Sequence, residues 1–258
     1  MNPNRKLFVL LDITFVFLMI LYLVNLLNFE GVGFFNAFHP SNPPVWFQIS
    51  AVTPSLIICI IIMIRFGQKF ARDNNIIAFL MLHFTLFLTL SLVSAIITSF
   101  VGGVGGLGIY WDRVLFSCFL ISFYYLYEFT NEVFRGGFTK INTRERTFLI
   151  MCTFIPIILT AFRQTAELPV IIENVGLGLA AIVLLIPNFL LIYHSFLLLR
   201  NIQIDDTISV DYQRSIKYIG ISSLIIIIFT ILFAIIVLAE LYKTWLYWTA
   251  MILIIIFM

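Results

Sequence analysis

Long apolar runs separated by short polar segments make up almost the whole of this sequence. Runs of about 20 apolar residues are the length that a membrane-crossing helix requires. The pattern therefore predicts an all-α fold, a polytopic membrane helical bundle that forms a single transmembrane domain over residues 1–258. We expect seven transmembrane helices and a short or truncated eighth, at residues 7–28, 45–64, 75–101, 110–131, 147–162, 169–200, 214–238 and 244–258.

The last predicted span is too short for a full crossing. About 15 residues cover about 22 Å as a helix, whereas the hydrocarbon core is about 30 Å thick. Either its neighbours support a short eighth helix, or the sequence is a piece of a longer protein. In the second case we expect a soluble cytoplasmic domain to follow.

Composition supports the membrane class and excludes several others. Apolar residues make up 62% of the chain and charged residues 11%, against about 45–50% and 25% in soluble domains. The net charge of +2 gives no indication of nucleic-acid binding. Cys59, Cys118 and Cys152 all lie in apolar runs, so we expect neither a disulfide framework nor a CxxC metal site.

The positions of the cations predict the orientation of the bundle. Basic residues concentrate in cytoplasmic loops, and the segment from Ser117 to Arg146 ends in the largest cluster of basic residues. Counted over alternate loops, twelve of the fifteen cations fall on one side: Arg5, Lys6, Arg65, Lys69, Arg72, Arg135, Lys140, Arg144, Arg146, Arg200, Arg214 and Lys217. We therefore expect a cytoplasmic amino terminus, and a cytoplasmic carboxyl terminus if the eighth helix crosses.

Four ionisable residues within the spans are candidates for function, since polar groups in hydrocarbon cost free energy. They are Asp12, His83, Glu128 and His194. Counted along each helix, all four lie roughly 9–12 Å from the predicted cytoplasmic charges, so we expect one shared layer. The alternative is that each side chain extends toward the headgroups or bonds to nearby backbone with no further role.

Helical periodicity adds two residues, Tyr124 and Asn131, to this candidate cluster. The polar residues of the fourth helix recur at spacings of 7, 4 and 3, which puts Ser117, Tyr124, Glu128 and Asn131 on one stripe. On the third helix, His83, Ser91, Ser94 and Thr98 fall within about 80° of one another. These stripes predict a cytoplasm-facing polar chamber in which Glu128 shares a proton with His83 or His194.

Catalytic and cofactor chemistry is not indicated. The sequence has no HExxH, no GxSxG and no aspartate pair at midplane, so an enzyme is disfavoured, although not excluded. The seven-residue glycine-rich segment from Gly102 to Gly108 lacks the lysine and the serine or threonine of a phosphate-binding loop. No cofactor, metal or catalytic residue is predicted, and a haem held by His83 and His194 is disfavoured.

Three segments resemble a known family. FLISFYYLYEFT, YHSFLLLR and YQRSIKYIGISS are similar to parts of the multi-helix, seven-transmembrane amino-terminal sensor regions of prokaryotic histidine kinases. The resemblance implies a sensory or receptor-like signal-input module, although no binding residues carry over from it.

A proton-coupled small-solute transporter is the second function class. Prolines at positions 54, 156 and 187 are candidate helix breaks for such a transporter.

A structural or accessory subunit of a larger membrane complex is the third function class. Such a role predicts a low density of functional polar residues, which this sequence has. The expected partner is the lipid bilayer, with a homo-oligomer or a larger membrane complex left open. Nucleic acid is not expected as a partner, and the sequence identifies no ligand.

Overall fold

The computed structural model describes residues 3–26, 45–101, 106–135, 143–162, 170–202, 214, 216–225, 227–228 and 231. This part of the chain is helical apart from Asn74, Asn75 and Arg135 and has no strand, so the predicted all-α class is confirmed there. The helices are α1 (Pro3–Leu26), α2 (Val45–Asp73), α3 (Ile76–Val101), α4 (Gly106–Phe134), α5 (Thr143–Phe162), α6 (Val170–Ile202) and α7 (Ile216–Ile225). The eighth predicted helix, 244–258, lies outside the described residues.

A two-residue turn joins α2 to α3. Asn74 has a φ of 52°, the left-handed conformation that asparagine tolerates better than most residues at the end of a helix. Its amide donates to the carbonyl of Phe70 at 2.8 Å, and the side chain of Asn75 accepts from the amide of Ile77 at 2.8 Å. Asn75 therefore caps the amino terminus of α3, and the short turn makes the two helices antiparallel.

Contacts between α3 and α4 show that these helices also run in opposite directions. Ser91 donates to the carbonyl of Leu115 at 3.1 Å. The ring centroid of His83 lies 5.1 Å from that of Tyr125. Residue numbers thus rise along one helix as they fall along the other.

By contrast, α1 runs parallel to α3. The ring of Phe8 lies 5.9 Å from that of Phe79, and the ring of Phe15 lies 5.3 Å from that of Phe87. Both helices therefore begin at the same end of the bundle, which is also where α2 ends and α4 ends.

That end carries most of the described cations, and we call it the basic end. The carboxyl-terminal part of α6 lies there too, because the rings of Phe134 and His194 are stacked at 5.8 Å. The cations placed there by their helices are Lys6, Arg65, Lys69, Arg72, Arg135, Arg144, Arg146 and Arg200. Their predicted separation from Arg113, on the first half of α4, is confirmed.

Several helices extend beyond the predicted spans at the basic end. α2 continues to Asp73 rather than ending at residue 64, α4 continues to Phe134, and α5 begins at Thr143 rather than at residue 147. The loop predicted for Arg65, Lys69 and Arg72 is therefore wrong, since all three lie on the last turns of α2. Apolarity marks only the segment suited to hydrocarbon, whereas backbone hydrogen bonding continues into the polar region.

Three of the described helical segments are long and apolar enough to cross a membrane: Val52–Asp73, Ile76–Phe100 and Gly178–Arg200. This agrees with the predicted membrane class, and the count of seven spans stays a prediction. α4 is also long, at 29 residues. Its tyrosine, serine and glutamate side chains make it less apolar, and they are the groups that build the candidate site.

Candidate functional site

α4 is buried on all sides over two turns near the basic end. Every residue from Ile121 to Glu128 is buried, although a helix with one solvent- or lipid-facing side shows exposure every three or four residues. Three tyrosines lie in this stretch, at positions 124, 125 and 127. Because successive residues point about 100° apart, the three hydroxyl groups reach different partners.

The first cluster joins α4 to α5. Glu128 is fully buried and accepts hydrogen bonds at Oε1 from the Tyr124 hydroxyl at 2.7 Å and from Arg146 Nε at 2.8 Å. Arg146 Nη2 donates to Oε2 at 3.0 Å. The guanidinium thus binds the carboxylate through two nitrogens, the geometry that gives strong and directional charge-assisted bonds.

Burial makes this ion pair a rigid element. The side chain of Arg146 is 15% exposed and that of Glu128 is 0% exposed, so little water reaches either charge. Removing two charges from water is costly and their attraction offsets that cost only while the geometry holds. Separation of α5 from α4 here would leave an unpaired buried carboxylate.

A second cluster lies just outside the first, at the end of α4. Arg135 Nη1 donates to Glu145 Oε1 at 2.7 Å and to Asn131 Oδ1 at 3.2 Å, and the Tyr127 hydroxyl donates to Glu145 Oε1 at 3.0 Å. Burial tends to raise the pKa of Glu145, but hydrogen bonds from Arg135 and Tyr127 and the charge of Arg135 outweigh it and lower the pKa. Glu145 and Arg135 therefore form a second, more exposed bond between α4 and α5.

The third cluster joins α4 to α1 and α3. The Tyr125 hydroxyl donates to Asp12 Oδ1 at 2.7 Å, and His83 Nε2 lies 3.4 Å from Asp12 Oδ2. His83 Nδ1 lies 2.9 Å from the carbonyl oxygen of Phe79, one turn earlier on its own helix. The side chains of Asp12 and His83 are 29% and 16% exposed, so this cluster is more open than the pair at Glu128.

The six candidates from the sequence fall into separate groups. Asp12 and His83 lie together, Tyr124 and Glu128 lie together, and Asn131 belongs to the Glu145 cluster. His194 packs against Phe134, the last residue of α4, and against Tyr193. The carboxylate of Glu128 bonds to Arg146 and Tyr124, while His83 faces Asp12, so the proton sharing hypothesised for Glu128 stays a prediction without a contact behind it.

Sequence reasoning missed the partners that complete each cluster. Tyr125 lies in an apolar stretch of the fourth predicted span, and Glu145 and Arg146 lie just before the fifth; all three bond a carboxylate or a guanidinium. One signal was available: Tyr124 and Glu128 are four residues apart on a helix, a spacing that brings side chains into contact. Partners on different helices have no comparable signal in a single sequence.

The clusters hold and position charges, and their composition offers little else chemically. Among the described residues, no group of three or more histidine, cysteine, aspartate or glutamate side chains could hold a metal ion. Cys59, Cys118 and Cys152 are all buried and reduced.

No family model, curated protein or solved structure matches this chain.

Proposed function

We propose that this chain is a membrane-embedded signal-input module of sensory or receptor type, in which α4 couples α1 to α5. One observation carries the proposal: within a single turn of α4, Tyr125 bonds Asp12 on α1 while Glu128 bonds Arg146 on α5. The buried middle of α4 thus connects α1 and α5 physically.

Coupling follows from the rigidity of that connection. Packed interiors deform little, and interfaces tend to switch between discrete arrangements rather than yield gradually. α4 is buried from Ile121 to Glu128, so a shift of this stretch toward α1 would strain the ion pair with α5. A stimulus that changes how α1 packs against α4 would therefore also shift the amino-terminal end of α5.

The basic end is the proposed output side. Cytoplasmic segments are enriched in lysine and arginine, which supports a cytoplasmic position for the start of α1, the start of α5 and the end of α6. We expect the exposed positions Lys6 and Thr143, changed to cysteine, to react with a membrane-impermeant maleimide only after cells are opened. Reaction in intact cells would reverse this orientation.

Two other functions have distinct signatures. A proton-coupled transporter needs a carboxylate that can exchange its proton, and both oxygens of Glu128 are held by Arg146, which counts against Glu128 in that role. Uptake by proteoliposomes that follows a proton gradient and is lost in Glu128→Gln would nevertheless establish transport. Co-purification in a stable assembly would favour an accessory subunit.

Reporter labels can test the coupling directly. In a background without Cys59, Cys118 and Cys152, a spin label at Thr143→Cys reports on α5 and a label at Lys6→Cys reports on α1. In nanodiscs, we expect Tyr125→Phe, which breaks only the α1 contact, to change the spectrum at Thr143. Because coupling between sites is reciprocal, Glu128→Gln should change the spectrum at Lys6.

Tyr218→Phe is the matched control, because it removes the hydroxyl from a tyrosine that is 66% exposed. It should leave both labels as they are in the parent protein. If Tyr125→Phe changes only the α1 label and Glu128→Gln changes only the α5 label, the two helices are not coupled and the proposal fails.

A further inference from the structure

We propose that Asp12, His83 and Tyr125 form a proton-operated clasp on α1. One proton shared between Asp12 and His83 holds α1 against α3 and α4, and its loss to water releases α1. The inference rests on the proposed function, because it assigns protonation as the stimulus that the module receives.

The argument begins with the two ring nitrogens of His83, since both face oxygen acceptors. Nδ1 lies 2.9 Å from the carbonyl oxygen of Phe79, and Nε2 lies 3.4 Å from Asp12 Oδ2. A neutral imidazole carries one N–H and therefore satisfies one of these contacts. Both are satisfied only when an additional proton lies between Nε2 and Oδ2, whichever of the two atoms holds it.

Loss of that proton changes an attraction into a repulsion. If Nδ1 keeps its hydrogen bond to Phe79, the lone pair of Nε2 faces the Asp12 carboxylate. If the ring adopts the other tautomer, the lone pair of Nδ1 faces the Phe79 carbonyl instead. In the first case Asp12 is left with the Tyr125 hydroxyl as its described hydrogen-bond donor, and a poorly paired carboxylate within a membrane is costly; in the second case the bond from Nε2 to Asp12 remains and the contact with Phe79 is lost.

Aromatic rings also contact the imidazole. Its centroid lies 4.0 Å from that of Phe79 and 5.1 Å from that of Tyr125, and aromatic faces attract cations. Among the described residues, the titratable groups of other helices that face it are Asp12 from α1 and Tyr125 from α4. Glu128, the next carboxylate along α4, is paired with Arg146; α2 contributes Phe70, which packs on Phe79 and does not titrate.

The clasp can exchange its proton and can control the position of α1. Asp12 is 29% exposed, in contrast to the sealed Glu128, and six residues of helix from Lys6 amount to about 9 Å. Among the described side chains of α1, Phe8, Phe15 and Met19 are buried. Asp12 adds polar contacts with α3 and α4 to this apolar packing.

The test measures the distance between spin labels on α1 and α2, at the exposed positions Lys6→Cys and Lys69→Cys, in nanodiscs between about pH 5.5 and about pH 8.5. We expect the distance distribution to shift from the closed to the open arrangement of α1 as the pH rises, because the shared proton is lost to water. His83→Gln should abolish this response. His194→Gln, at a histidine stacked on Phe134, should retain it.

A wild-type distance that does not change with pH overturns the clasp, and so does a response of His83→Gln equal to that of the wild type. If His83→Gln fails to fold, His83→Arg takes its place: its permanent charge should keep α1 closed at every pH, and a wild-type response would overturn the clasp.

The label at Thr143 separates this inference from the proposed function. Release of α1 without a change at Thr143 supports the clasp and contradicts the signal-input role. A flat pH response in a protein where Tyr125→Phe still alters Thr143 overturns the clasp and leaves that role standing.

Discussion

The two carboxylates at the centre of the site, Asp12 and Glu128, have different partners. Glu128 is fully buried and is held by two nitrogens of Arg146, a group that stays charged at any physiological pH. Asp12 is 29% exposed and is held by the neutral hydroxyl of Tyr125 and by His83. Both contacts use the same turn of α4, at Tyr125 and at Glu128, so the difference lies in the partner and in the depth of burial.

This difference separates a fixed contact from an adjustable one. The guanidinium of Arg146 stays charged at any physiological pH and binds both oxygens of Glu128, so α5 should stay attached to α4. A histidine is the side chain whose charge changes most readily between pH 5 and 8, and the α1 side has one. We infer that α4 and α5 form the stable frame of the bundle and that α1 is the movable helix.

The largest effect should come from breaking the sealed contact. Arg146→Met leaves Glu128 buried without its cation, and loss of one partner of a buried pair costs about 3–5 kcal/mol. We expect that loss in the free energy of unfolding, measured by thermal unfolding of the purified protein in detergent micelles.

Arg144→Met is the control for this prediction, because Arg144 lies two residues away on α5 and is exposed. Exposed substitutions usually change stability by about 0.5 kcal/mol or less. Replacing both charges, as Glu128→Met with Arg146→Met, should recover much of the loss, since apolar pairs often substitute for buried ion pairs. If Arg146→Met and Arg144→Met lower the free energy of unfolding equally, the Glu128–Arg146 pair is not part of the stable frame.

A smaller effect is expected on the α1 side. Tyr125→Phe removes the hydroxyl that donates to Asp12 at 2.7 Å. Hydrogen bonds to charged groups contribute about 1.5–3 kcal/mol, and Asp12 keeps its contact with His83, so we expect about 1.5 kcal/mol in the same unfolding assay. A loss as large as that of Arg146→Met would mean that the two sides are equally fixed.

The sequence predicted the helices better than it predicted the partners of their polar groups. Counting residues from the cationic ends placed Asp12 and His83 at matched depth, and the structure brings them together. Helical spacing placed Tyr124, Glu128 and Asn131 on one stripe, and all three are buried. Depth and face follow from 1.5 Å and 100° per residue.

No comparable rule predicts how far one helix is rotated about its axis relative to its neighbours. It is decided by packing and by which hydrogen bonds form, so Arg146 could not be assigned to Glu128 from the sequence. The limits of α5 concealed it further, because Arg146 lies in the polar first turn, outside the apolar span. Three closely spaced tyrosines were a usable signal, since hydroxyl groups buried in a helix bundle require partners.

The smallest effect should appear in the exposed pair that lies beyond the sealed one. The pKa of Glu145 is lowered, because hydrogen bonds from Arg135 and Tyr127 outweigh the effect of burial. A lowered pKa contributes stability that is fully present above the ordinary value of about 4.3 and disappears as the pH falls through the lowered one. Glu145 is 34% exposed, so solvent screening should keep the contribution below about 1 kcal/mol.

Glu145→Gln should therefore unfold at a slightly lower temperature than the wild type at pH 6, and the difference should shrink as the pH falls below about 4. A difference that stays constant over this range would show that Glu145 acts through packing rather than through its charge, and that this outer pair adds nothing to the frame formed by Glu128 and Arg146.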